Sequence, residues 1–296
     1  MMEVITSYEP YSQQPEYIQG NRDFLENLSL GKFVRVLDLA CGTGALTEIL
    51  FEIQPNIQVI GIDISKESLD IGRKNFRERG LLVEDINGLE VAAQVNKGAV
   101  LLLEGSADEI PCQPNSIDLV VMGNSIHLLP DKDKLLQGIL RVLRPGGRFA
   151  FNSTFFVGTY PEGTQWINNE WMKESFKVML DLDKQQREKG EPGIKRKRGT
   201  VGKAFDKGWM SSEEWQETLS RNGFEAVGSA LRTIMMTQQS FETVGAYAGL
   251  AEVLMSGYPI QFASQALQEG AKNLWEREKL TEIPRYWLEI TGIKPA

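Results

Sequence analysis

The sequence predicts an α/β fold, a seven-stranded and mostly parallel sheet with helices on both faces, and three observations predict it. Short, compact apolar runs alternate with helical stretches through the first half of the chain, the mark of parallel strands buried on both faces. A glycine turn, Cys41-Gly42-Thr43-Gly44, joins the first run to the first of these helices. A second turn, Arg144-Pro145-Gly146-Gly147, closes a helix and opens a strand.

The elements follow in order. Residues 1–31 are polar, with a helix predicted from Pro15 to Leu28 and stopped by Gly31. Strands are predicted at 33–39, 59–64, 99–103, 117–122 and 148–152, with helices at 45–54, 68–79 and 132–143. Ser65 suits an N-cap and Gly80 a helix stop. After Phe156 the rhythm breaks. Residues 157–209 hold one helix, about 167–189, and a basic loop. Ser211-Ser212-Glu213-Glu214 has the spacing of a capping box and opens a helix to Asn222. Strands at 224–237 and 286–293 complete the sheet, and 240–280 reads as two helices split at Gly257-Tyr258-Pro259. The expected organisation is an N-terminal lid segment (1–31), a nucleotide-binding core (32–156), a helical lid insertion (157–209), a core continuation (210–237), a second helical insertion (238–283) and a last core strand (284–296).

Composition excludes several classes. The chain has 296 residues and a formal net charge of -8, which argues against a general nucleic-acid binder. With two cysteines, Cys41 and Cys112, and a single histidine, His127, it cannot assemble a zinc site from three or four Cys/His ligands. No apolar run approaches the length of a membrane span, about 20 residues. No basic segment followed by an apolar stretch opens the chain, so neither membrane nor secretion is expected and a cytoplasmic setting is the default.

The chemistry concentrates at strand ends. Glycines after the first strand let the backbone approach a ligand, and the following helix offers free N–H donors. Asp38 just before the turn suits an amine-bearing ligand better than a phosphate. Asp63, about 20 residues past the turn, can accept both hydroxyls of an adenosine ribose, or simply start a helix. A nicotinamide-type GxGxxG is absent, because Gly42-Thr43-Gly44 continues as Ala45-Leu46-Thr47.

Together Val36-Leu37-Asp38-Leu39-Ala40-Cys41-Gly42-Thr43-Gly44, Gly61-Ile62-Asp63-Ile64-Ser65, Glu104-Gly105-Ser106-Ala107-Asp108, Ser116-Ile117-Asp118-Leu119-Val120, Asn124-Ser125-Ile126-His127-Leu128-Leu129-Pro130 and Arg141-Val142-Leu143-Arg144-Pro145-Gly146-Gly147 resemble the class I, Rossmann-like methyltransferases of the small-molecule type. The resemblance covers about 33–156 and resumes in 210–237 and 284–295. It implies S-adenosyl-L-methionine as methyl donor and S-adenosyl-L-homocysteine as product. It also implies cofactor contacts at Asp38, Ala40, Cys41, Gly42, Gly44, Asp63, Ile64, Ser106, Ala107, Asn124 and Tyr17. Two positions depart from the family pattern. Ala40 replaces the first glycine, which is tolerated if φ is negative there, and Ser106 stands where the family has an adenine-binding Asp, so that the adenine contact passes to the Ser106 hydroxyl, the Ala107 backbone or Asp108.

Methyl transfer depends on alignment and desolvation, with a base where the acceptor is a hydroxyl or an acidic carbon. Open α/β sheets bind ligands beyond the carboxyl ends of their strands, so Asn124 and His127 are the candidate catalytic residues. His127 is either a general base or a packing residue, and Asn124 either a ligand contact or a turn residue. Tyr11 and Tyr17 precede the core where the family often has a lid helix. All six tryptophans follow the nucleotide-binding half, so the insertions either cover an apolar or aromatic acceptor or form a small core of their own. The basic run Lys195-Arg196-Lys197-Arg198 would steer an acidic or carrier-bound acceptor, or is a solvated loop. The expected function is methylation of a small, hydrophobic or aromatic metabolite at O, N or C. The alternatives are an RNA or protein methyltransferase and a non-catalytic module that binds the donor or its product.

Overall fold

The computed structural model describes residues 9–197 and 209–296. The chain divides into two compact units: a sheet unit of Tyr17–Thr159, Trp209–Arg232 and Trp287–Ala296, and a helical unit of Met1–Glu16, Tyr160–Gly208 and Thr233–Tyr286. The expected boundaries shift accordingly. The N-terminal segment is split between the units at residue 16, and the helical unit takes the ends of the last two strands.

Seven strands form one sheet: β1 (Arg35–Leu39), β2 (Gln58–Asp63), β3 (Ala99–Glu104), β4 (Ile117–Gly123), β5 (Leu143–Ser153), β6 (Glu225–Thr237) and β7 (Glu282–Ile293). Their order is β3-β2-β1-β4-β5-β7-β6, the five N-terminal strands being parallel and β7 antiparallel to β5. The chain reverses direction across the sheet between β1 and β4, the switch point at which such sheets bind ligands. Val36, Val59, Val100, Leu119 and Val121 are fully buried in one cluster with Leu50, Phe51 and Phe76. These buried side chains are what the compact apolar runs encode.

The sheet unit's helices are α2 (Pro15–Glu26), α3 (Ala45–Ile53), α4 (Lys66–Glu78), α5 (Ile86–Gln94), α6 (Lys132–Val142) and α8 (Ser212–Arg221), and α1 (Glu9–Ser12) precedes them in the helical unit. Ser65 caps α4 by accepting from Ser68 N at 3.2 Å. Ser211 and Glu214 cap α8 reciprocally, at 3.2 and 2.7 Å, as their spacing predicts. Asp118 explains one motif as architecture. Its buried carboxylate accepts from the amides of Val34 and Arg35, at 2.7 and 2.8 Å, and pairs with Arg144.

The helical unit contains α7 (Gln165–Glu188), α9 (Gln238–Ala246), α10 (Ala248–Leu254) and α11 (Ile260–Glu278). The stretch read as a single helix before Gly257 is two, because the backbone at Tyr247 turns extended, with ψ 121°. Trp171 stacks edge-on against Phe241 at 4.8 Å, Phe241 lies 4.7 Å from Trp275, and Trp171 Nε1 donates to the Leu267 carbonyl at 2.8 Å. Two of the six tryptophans therefore build this unit's own core, and Trp215 and Trp287 are buried in the sheet unit. The basic run is anchored as far as Lys197, since Arg196 Nε donates to Ser256 O at 2.9 Å and Lys197 N to Gly257 O at 2.7 Å. Arg198 lies outside the described residues.

Candidate active site

The loop after β1 is set by three positive-φ residues, Ala40 (56°), Gly42 (57°) and Gly44 (94°). Ala40 does not meet the condition of a negative φ: an alanine holds a left-handed conformation that favours glycine. That conformation costs a residue with a Cβ about 1–2 kcal/mol, against which glycine's extra chain entropy weighs about 0.5–1 kcal/mol. Ala40→Gly is therefore expected to stabilise the protein by ~0.5–1 kcal/mol, read as a higher urea midpoint; a lower midpoint would show that the alanine methyl packs usefully. Gly42 needs its freedom for another reason. Among the described residues a Cβ there would meet no atom within 4 Å, so the loop presents bare backbone to open space. Gly44 is closed in, with its imaginary Cβ only 2.5 Å from Phe76 Cε2.

Two carboxylates flank this loop. Asp38 is 1% exposed and accepts from Thr47 Oγ1 at 2.7 Å. Burial, reinforced by the nearby charge of Asp63, pushes its pKa up to about 7. A buried carboxylate so raised is a strong candidate for an incoming cation, which would restore its charge. Asp63 is half-buried at the end of β2. Gly42 N donates to its Oδ2 at 2.7 Å and Ser65 N to its Oδ1 at 2.8 Å. Asp63 thus holds the amide of Ser65, the residue that caps α4, and staples the glycine loop to β2. An ionised carboxylate offers about four acceptor positions, so each oxygen keeps capacity for one hydroxyl. Ile64, 75% exposed, lies next to it as an open apolar surface. Cys41 is buried in the loop, which raises its thiol pKa well above the usual range, and its amide donates to Ile62 O at 3.1 Å.

After β3, Ser106 donates its hydroxyl proton to Asp108, and Lys134 lies 3.2 Å from the same carboxylate. The Ser106 and Lys134 hydrogen bonds hold Asp108 below the usual carboxylate range. With its proton committed, Ser106 Oγ keeps lone pairs for an N–H donor. Ala107 is buried beside it.

The exit of β4 holds the catalytic candidates. Asn124 also has positive φ, 45°. Its amide donates to the Asn152 side chain at 3.0 Å, and its Oδ1 accepts from Thr154 N at 2.8 Å and Thr154 Oγ1 at 3.1 Å. Asn152 Nδ2 donates to Asn21 Oδ1 at 2.8 Å, and Asn21 Nδ2 to Tyr17 O at 2.9 Å. This buried network joins α2 to the strand ends and gives Asn124 a part in holding the turn. Sequence reasoning missed Asn21 and Asn152. The signal was an asparagine inside the apolar run Phe149-Ala150-Phe151-Asn152. Tyr17 is buried, its ring edge-on to Trp287 at 5.3 Å. Tyr11 belongs to the helical unit, where it donates toward Met236 Sδ at 3.7 Å.

His127 sits half-buried in a 3-10 turn (Ile126–Leu128), its ring 4.0 Å from that of Phe155, which meets Trp209 edge-on at 5.8 Å. Lys132 Nζ ties the turn down by donating to Ile126 O at 2.7 Å and to Leu129 O. Burial lowers the Lys132 pKa to about 8.

A strand order with one antiparallel strand, a glycine loop at the switch point and carboxylates ending β1 and β2 define a Rossmann-like, nucleoside-binding protein of the methyltransferase type. A family model described as a methyltransferase domain matches residues 30–223. The chain belongs to this family, the class that draws its methyl group from S-adenosylmethionine. The demethylmenaquinone methyltransferase of Symbiobacterium thermophilum is 34% identical over 135 residues, 45% of this chain and 48% of that protein. The ubiquinone/menaquinone biosynthesis C-methyltransferase UbiE of Idiomarina loihiensis is 33% identical over 116 residues, 39% of this chain and 40% of that protein. The chain spans about half or less of the length of these curated relatives. The crystal structure of the YcgJ protein from Bacillus subtilis shares the fold, with a TM-score of 0.52 at 17% identity, covering 94% of this chain and 99% of that one.

Proposed function

We propose that this chain transfers a methyl group from S-adenosylmethionine to a small apolar, aromatic acceptor bound at the exit of β4. The observation that carries the reading is the pair of carboxylates around a positive-φ glycine loop. Asp38 matches an ammonium group and Asp63 a vicinal diol, and the open space before Gly42 leaves room for the chain between them. Ile64 offers an apolar surface to a purine face and Ser106 Oγ an acceptor to an exocyclic amine. When bound, the donor supplies an electrophilic methyl on a positively charged sulfur.

The acceptor assignment rests on the aromatic group His127, Phe155 and Trp209 and on relatives named for demethylmenaquinone and ubiquinone. Those names make a hydroquinone-like aromatic diol the first acceptor to test. His127 takes the proton from the acceptor hydroxyl, which raises electron density on the ring to be methylated. Among the described residues no helix is long and apolar enough to cross a membrane. A cytoplasmic setting, where S-adenosylmethionine is made, fits this chemistry.

Methyl-labelled donor incubated with 1,4-dihydroxynaphthalene, and separately with a metabolite extract, tests the reading. Transfer of label into a small organic-soluble product is expected, and label found only in protein or RNA would overturn it. With the accepted substrate, His127→Ala is expected to lower turnover about a hundredfold and leave donor affinity within about twofold. Equal turnover would reduce His127 to a packing residue.

A further inference from the structure

Ser125 follows Asn124 at the carboxyl end of β4 and opens the turn that carries His127. Its carbonyl accepts from Leu128 N at 2.9 Å. Its hydroxyl is in a different position. The residue is 7% exposed, and Oγ reaches no hydrogen-bond partner among the described residues. The polar groups beside it are engaged with one another, since Asn124 Oδ1 receives both donors of Thr154 and the Asn124 amide goes to Asn152. A buried hydroxyl without a partner has lost water's hydrogen bonds with nothing in return, so folding alone would favour alanine here.

Three indole N–H groups, those of Trp215, Trp275 and Trp287, are likewise buried without an acceptor among the described residues. Each is carried on a large ring whose burial drives its placement; Trp215, for example, packs edge-on to Phe151 at 4.8 Å. Serine has a single methylene to bury, so packing does not account for it. What distinguishes Ser125 is its place. It stands where open α/β sheets bind their ligands, two residues before the imidazole that stacks on Phe155.

We infer that Ser125 is an acceptor-contacting residue, whose hydroxyl hydrogen-bonds an oxygen of the aromatic acceptor and so selects acceptors that carry one. The inference rests on the methyl-transfer reading above. A site built to hydrogen-bond a substrate hydroxyl discriminates strongly against the analogue lacking it, because the analogue leaves the protein group unpaired. Serine can serve as donor to a carbonyl or phenolate and as acceptor from a hydroxyl. It therefore stays engaged whether or not the acceptor has lost its proton to His127.

The test compares wild type with Ser125→Ala. Both are loaded with S-adenosylhomocysteine and titrated anaerobically with 1,4-dihydroxynaphthalene and with naphthalene. In the wild type the diol is expected to bind at least tenfold tighter than the hydrocarbon. In Ser125→Ala that ratio is expected to fall about tenfold, with naphthalene affinity unchanged. The unliganded variant should melt at the same temperature or up to about 2 °C higher, since no protein hydrogen bond is lost. A melting point lowered by several degrees would show that the hydroxyl serves the fold, and would overturn the inference. So would a variant that keeps the full preference for the diol, with the acceptor reading left standing. If the wild type itself binds neither compound, the aromatic-acceptor reading fails, and the role of Ser125 fails with it.

Discussion

Asp38→Asn is expected to make the unliganded protein more stable at pH 8 while removing most of its affinity for the methyl donor. Burial raises the Asp38 pKa from 3.8 to about 7. The folded state therefore holds a proton on Asp38 between about pH 4 and pH 7 that the unfolded state has lost. Stability falls as pH rises through that window, and the penalty is complete above pH 7. A shift of this size corresponds to about 4 kcal/mol, an upper bound for a group that can relax. Asparagine keeps an oxygen for Thr47 Oγ1 and carries no charge. The variant should melt above the wild type at pH 8, and the two should converge toward pH 4. Donor affinity should drop about a hundredfold, because a charge-assisted hydrogen bond to a buried carboxylate contributes ~3 kcal/mol. A variant less stable than the wild type at pH 8 would mean that Asp38 serves the apo fold instead of a cation.

Gly44→Ala is expected to have the largest effect on folding of any single substitution in the loop. The new Cβ would occupy a φ of 94° and lie 2.5 Å from Cε2 and 2.9 Å from Cζ of Phe76, a fully buried ring. Left-handed strain and overpacking each cost about 1–3 kcal/mol, and together they predict a loss of about 3 kcal/mol in chemical denaturation. The two costs separate in a double-mutant cycle. Phe76→Leu makes room for the methyl, so Gly44→Ala should cost about 1–2 kcal/mol less in that background. Equal costs in both backgrounds would assign the whole penalty to the backbone.

Strands β1–β5 were legible because they are largely buried and so are written as compact apolar runs. Caps such as Ser65 and Ser211 were legible because the side chain that makes the hydrogen bond is itself in the sequence. Helix α5 was not. It buries only Leu89 and Ala92 and leaves Ile86 and Val91 exposed, so it has no clear apolar stripe. The break at Tyr247 was hidden because Phe241, Val244, Ala248, Ala251 and Met255 keep a helical apolar spacing across it, even though Gly245 and Gly249 flank it. At the site, Asp38 and Asp63 could be found by spacing from the glycine turn. The positive φ of Ala40 could not, since side-chain chemistry does not report a backbone angle imposed by the flanking strand and helix. Asn152 stood out inside its apolar run, but its pairing with Asn21 and Asn124 was hidden, because the three are far apart in sequence and meet only through the packing of α2 against the sheet. Ser125 shows the same limit from the other side: an orphaned hydroxyl is defined by what surrounds it, not by its identity.

The carboxylate pair around the glycine loop is the centre of this account. Calorimetric titration of S-adenosylmethionine into the wild-type protein from pH 5.5 to 8.5 tests it most directly. One site per chain is expected, with affinity rising about tenfold per pH unit up to about pH 7, where Asp38 ionises, and levelling off above. Absence of binding at neutral pH, or an affinity that does not change across this range, would contradict it.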